Sequence, residues 1–142
     1  MRGLTAREIE RRAAGPVTDR VVLDYEGRFL RRRTLTTVSG ASLFIDLPET
    51  VSLDAGDAFV TTDGARIAVE AAAEPLMEIT APPPDLVRFA WHIGNRHTPA
   101  QIEAGRLLIR ADHVMADMLA RPGAATRAVR ERVTPERGAD GS

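Results

Sequence analysis

The stretch PLMEITAPPPDLVRFAWHIGNRH, residues 75–97, decides the fold of the second half of the chain. PLMEIT reads as a short strand. The following APPPD forces an extended boundary, because proline lacks an amide donor and restricts the residue before it. Leu86, Val87, Ala90, Ile93 and Gly94 then fall on one helical stripe, with Asp85 as the expected N-cap. Gly94 and Asn95 tolerate left-handed backbone and Pro99 blocks continuation, so the helix should end there with His97 just past its C-terminus. Beyond it, AQIEA and RLLIRA read as a hairpin turning at Ala104-Gly105. Asp112 is placed to cap a second helix that buries Val114, Met115, Met118 and Leu119 and stops at Pro122-Gly123. ATRAVRERVT closes the series as a weaker strand. The order β-α-β-β-α-β is the ferredoxin-like arrangement.

Upstream, the pattern is that of a small all-β unit. VVLDY, RFLRRRTLTT, ASLFIDL and DAFVTT are short β-branched and aromatic runs separated by turn-formers, and Asp63-Gly64 offers a two-residue hairpin turn into RIAVEAA. Strand alternation puts Arg31 and Arg33 on one face and Arg32 on the other, either to grip an acidic partner or to protect a solvated edge. The fold class is therefore α+β, a small N-terminal all-β domain followed by a ferredoxin-like domain. The expected boundaries are a flexible leader over residues 1–18, a β domain over 19–73, the ferredoxin-like domain over 74–135 and a disordered tail over 136–142.

Composition narrows the function classes. A formal charge of -1 gives no global attraction to nucleic acid or an anionic membrane, and the arginine-only basic set reads as a codon habit. No apolar run approaches the roughly 20 residues of a membrane helix, and the start has no apolar signal core, so a cytoplasmic location is expected. The ferredoxin-like order also occurs in RNA-binding domains, but those stack bases on sheet aromatics, which PLMEIT and RLLIRA lack. There is no Gly-rich phosphate loop and no G-x-S-x-G elbow, and the absence of cysteine excludes a thiol nucleophile.

The absence of thiolate also means that a borderline metal would have to be held by imidazole, helped by oxygen ligands. The chain has three histidines, His92, His97 and His113. On a regular helix His92 and His97 would stand about 140° apart, so they would not chelate one ion together. His97, at a carbonyl-rich helix terminus, lies where partial negative charge favours a cation. On spacing alone the commoner outcome is that His97 caps the helix by donating to a terminal carbonyl. For His92 the commoner outcome is a structural imidazole, and for His113 a surface one.

WHIGNRH (residues 91–97), the TPAQIE that follows it and DHVMADML (residues 112–119) together resemble the paired motif of the UreE family of urease accessory proteins. Softer similarity lies in the tandem arginines after Gly27, DLPETVSLDAGD (residues 46–57), the Asp63-Gly64 turn and VTPERGAD (residues 133–140). The resemblance spans about residues 21–138. It implies a nickel metallochaperone, not an enzyme, with a protein-docking β domain and a C-terminal domain that dimerises and binds Ni²⁺ at the subunit interface. By motif position His97 looks like the principal ligand, one from each subunit of a homodimer, with His113 a possible secondary ligand and His92 a peripheral one. Two imidazoles leave coordination sites open, which suits a carrier that hands its ion on.

The implied partners are the accessory GTPase of urease maturation and the urease apoprotein complex. Cu²⁺ and Zn²⁺ are expected to bind as well. The chain departs from many relatives in having no histidine after His113 and Ala111 two positions before it, which points to about one nickel per dimer. Two other readings of the same residues are a metal-dependent hydrolase using His97 and His113 with Asp112 as base, and a non-metal protein-interaction domain with structural histidines.

Overall fold

The fold is that of a computed structural model, which describes residues 3–120 and 122–137. The chain divides into two compact units between Ala72 and Ala73.

The first unit is a six-stranded sheet. Its strands are β1 (Gly3–Glu10), β2 (Asp19–Leu23), β3 (Phe29–Thr36), β4 (Ser42–Ser52), β5 (Ala58–Thr61) and β6 (Arg66–Ala71), with a 3₁₀ turn at Glu26–Arg28. The spatial order is β2-β6-β5-β1-β4-β3, with β1–β4 and β2–β6 parallel and the remaining pairs antiparallel. Alternation along β4 and β6 sends Leu43, Ile45, Leu47, Ile67 and Val69 into one core with Phe59 and Val21.

The expected flexible leader is not what residues 3–10 form. They make a central strand between β4 and β5, with Ala6 fully buried, while residues 1–2 lie outside the described set. The strand is stabilised by its two neighbours rather than by its own sequence, as β structure commonly is. The turn at Asp63-Gly64 also differs from expectation. Thr61 and Ala65 close it across three residues, and of the pair only Gly64 has positive φ, at 88°. The alternation expected of the arginine run is broken by a register shift between Leu30 and Arg32 on the edge strand β3, and Arg32 pairs with Asp46 at 3.0 Å. Arg28, just before the run, is buried. Its Nε donates to the Leu53 carbonyl at 3.2 Å and its Nη1 to the Leu23 carbonyl at 2.9 Å.

The second unit runs β7 (Glu74–Thr80), α1 (Pro83–Asn95), β8 (Ala100–Ile102), β9 (Leu107–Arg110), α2 (His113–Ala120) and β10 (Ala125–Glu131). Its sheet order β10-β7-β9-β8, all antiparallel, is the ferredoxin-like order that the sequence implies. Met77, Ile79, Leu107 and Ile109 pack against Leu86, Phe89 and Ile93 of α1 and Met115 and Leu119 of α2. The buried stripe of α1 is thus Leu86, Phe89 and Ile93. Val87, expected on it, is 71% exposed, as is Val114 of α2. Asp85 is not the N-cap but lies in the first turn. Pro82 takes the cap and Pro83 follows, where a missing amide donor costs nothing.

On the helix-free face of this sheet Arg106 gathers three carboxylates. Its guanidinium meets Glu131 at 2.8 Å, Glu78 at 3.0 Å and Glu103 at 3.2 Å, and Glu78 also meets Arg127 at 3.2 Å. Hydrogen bonds from Arg106 hold both Glu78 and Glu131 below the usual carboxylate range. Glu136, at the start of the expected disordered tail, is hydrogen-bonded to Ala100, and residues 138–142 lie outside the described set. No helix among the described residues is long and apolar enough to cross a membrane.

Candidate metal centre

The end of α1 fixes the position of His97. The Thr98 amide donates to the Ile93 carbonyl at 3.2 Å and the His97 amide to the Gly94 carbonyl at 3.0 Å. These are the two bonds of a Schellman motif, which requires a left-handed residue at the first position past the cap. That residue is His97, with φ 58°. Glycine usually occupies this position, because a β-carbon there crowds the following carbonyl. Among the described residues only Arg12 and His97 take positive φ without being glycine. The helix therefore runs to Asn95 with regular backbone, and the left-handed residue is His97 itself rather than Gly94 or Asn95.

The capping role expected for the His97 imidazole belongs instead to its backbone amide. Its side chain is exposed and has no hydrogen-bond or ion-pair partner among the described residues. A non-glycine residue held in a left-handed conformation with its polar head unused is the kind of local strain that functional sites retain. In the loop leaving it, Pro99 fixes its own φ and biases Thr98 toward extended backbone.

His113 opens α2, whose cap is as expected. The Asp112 Oδ1 accepts from the Val114 amide at 2.9 Å and the Met115 amide at 3.2 Å. His113 is exposed. A shallow hollow of about 170 Å³ is lined by Arg96, Thr98, Asp112, Val114, Met115 and Met118. Both chain neighbours of His97 and both neighbours of His113 thus border the same hollow, so the fold brings the two histidine-bearing segments side by side. The hollow is smaller than most ligand pockets, and Asp112 is committed to its cap, so neither feature favours the hydrolase reading.

His92 is exposed on the last turns of α1. Its ring meets Trp91 edge-on at 5.3 Å between centroids and 77° between planes. Trp91 is itself 64% exposed and stands one turn beyond Val87, so the outer face of α1 carries an apolar pair. No group of three or more histidine or acidic side chains able to hold a metal occurs among the described residues. Within one copy of the chain His97 stands exposed on its left-handed turn, with no such group around it among the described residues. Its left-handed backbone is not legible in the sequence, although histidine is, with Asn and Asp, among the non-glycine residues that adopt it most readily.

Comparison with known proteins matches both units. The family model for the UreE urease accessory protein, N-terminal domain, covers residues 4–72, and that for the C-terminal domain covers residues 74–142. Urease accessory protein UreE of Ruegeria pomeroyi is 56% identical over 123 residues, 87% of this chain and 81% of that protein. The proteins of the same name from Rhodobacter capsulatus and Paracoccus denitrificans are 51% identical over 124 residues and 50% identical over 133 residues. They cover 87% and 94% of this chain, and the matches take in 78% and 84% of those proteins.

Proposed function

The chain belongs to the UreE urease accessory protein family, and from that premise we propose that it is a non-enzymatic nickel carrier whose metal lies between two copies, held by His97 of each. The observation that carries this reading is the exposed His97 imidazole, without a hydrogen-bond or ion-pair partner among the described residues, on a left-handed helix-terminal position. One imidazole cannot hold Ni²⁺ tightly. A two-fold axis supplies a second from an identical surface. The exposed Val87 and Trp91 pair on the same helix supports such an axis, because it gives apolar area for a self-complementary contact on the helix that leads to His97.

The C-terminal end of α1 adds partial negative charge near the cation. With two imidazoles the ion keeps open positions, so a recipient can take it by ligand exchange. His113, whose segment borders the same hollow, is the secondary donor, and His92 is peripheral. The recipient is the urease maturation machinery, reached through its accessory GTPase, with the N-terminal β unit as docking module and the cytoplasm as location.

Calorimetric titration of the metal-free protein with Ni²⁺, alongside His97→Ala and His113→Ala, tests the reading. His97→Ala should abolish tight binding, and His113→Ala should weaken it only modestly. Undiminished nickel affinity in His97→Ala would rule the reading out.

A further inference from the structure

The chain does not leave the second unit after β10. Val133 is buried, the Thr134 amide donates to Gln101 Oε1 at 2.8 Å, and the Glu136 amide donates to the Ala100 carbonyl at 2.7 Å. β10 and β8 are opposite edges of the sheet, so residues 132–136 span its width. The helices cover the face that carries Met77, Ile79, Leu107 and Ile109. Strand alternation puts Leu76 and Leu108 on the other face, where both are nevertheless buried. Gln101, opposite Leu108, belongs to that same face. The segment is a strap across the helix-free face, with Val133 buried within it.

Where the strap is fastened matters. Ala100 is the first residue of β8 and the third after His97. The entry to the His97 loop is held by the Schellman bonds, and its middle by Pro99. Its exit depends on a three-residue edge strand paired on one side to β9. Short edge strands with few partners open at low free energy. The Glu136 amide gives Ala100 a second partner, and the Thr134 amide ties down the neighbouring Gln101.

We infer that residues 132–136 are a positioning strap for the metal ligand, setting the exit of the His97 loop and through it the grip on nickel. The inference rests on the carrier reading, since only then does His97 have an ion to hold. A loosened loop presents His97 correctly for a smaller fraction of the time, and apparent affinity falls by that fraction.

The test uses the full chain with Glu136→Pro, which deletes the amide donor without touching the core. The residue before it is Pro135, whose φ is already fixed, so the new proline adds restriction chiefly at position 136 itself. Val133→Asp frees the whole strap, and Val133→Ile is the conservative control. Nickel affinity is read by calorimetry at a temperature where all variants tested are folded, and amide exchange is read at Thr98 and Ala100. Glu136→Pro should weaken nickel binding about three- to tenfold, the span of one net backbone hydrogen bond. It should also speed exchange at both amides, while Val133→Ile behaves as the parent. Parental affinity and exchange in Glu136→Pro would overturn the inference, even if Val133→Asp fails to fold. Nickel binding indifferent to His97→Ala would instead defeat the carrier reading, and exchange at Thr98 and Ala100 would still decide whether the strap holds the loop.

Discussion

Replacing His97 with glycine should make the protein more stable and unable to carry nickel. His97 holds φ 58° at the Schellman position, a conformation that costs an L-residue roughly 1–2 kcal/mol and glycine almost nothing. Glycine gives back about 0.5–1 kcal/mol through its larger unfolded-state entropy. The imidazole makes no hydrogen bond or ion pair with the described residues, so no contact term enters. The net gain should be about 0.5–1 kcal/mol, or roughly 2–8 °C in Tm for a unit of this size. His97→Ala keeps the β-carbon and so keeps the strain, and its stability should stay within about 0.5 kcal/mol of the parent. Urea unfolding of the metal-free chain at fixed concentration measures both. The single tryptophan, Trp91 on α1, reports the second unit. A His97→Gly protein less stable than the parent, or one that binds nickel as the parent does, would refute the reasoning that strain is kept here for a ligand.

The other predictions concern the frame around the site. Asp112→Ala removes the cap from two amides of α2 and should cost about 1 kcal/mol, seen as a lower urea midpoint with unchanged slope. Arg28→Ala leaves the buried Leu53 carbonyl without its side-chain donor, while the Leu23 carbonyl keeps the Ala72 amide, and should destabilise the first unit by about 2 kcal/mol, read by urea unfolding. Glu78 and Glu131 are held below their usual range by Arg106, so their stabilising effect is complete above that range and is lost as pH falls through their lowered values. Arg106→Gln should raise both midpoints in a carboxylate NMR titration. Asp19 is lowered to about 2, chiefly by the hydrogen bond from the Ser39 hydroxyl. Ser39→Ala should move its midpoint up toward 3.8 and shift the acid loss of first-unit stability to higher pH.

Punctuation made the second unit readable. Three consecutive prolines, the Asp112 cap and Gly123 mark where its helices begin and end, and the element order between them is the ferredoxin-like one. Interior choices were less visible. Val87 and Phe89 are both apolar, and only packing against the sheet decides that Phe89 turns inward and Val87 outward. β1 was hidden because residues 3–10 hold few large apolar side chains, and its place comes from pairing with β4 and β5, distant in sequence. Three candidate ligands could be named from the sequence, but not the backbone geometry at each. Helix-end signals pointed to Gly94 and Asn95, and the left-handed residue proved to be the histidine two positions further on. The strap was unreadable for a related reason, since its fastenings are backbone amides that any residue but proline supplies.

A nickel ion shared by two copies through His97 has a stoichiometry that can be counted. Native mass spectrometry of the protein with limiting and then excess Ni²⁺ counts ions and chains together. The account predicts one tightly held Ni²⁺ on the dimer, none on the monomer, and none on a His97→Ala dimer. A nickel ion retained on single chains, or on dimers lacking His97, would contradict it.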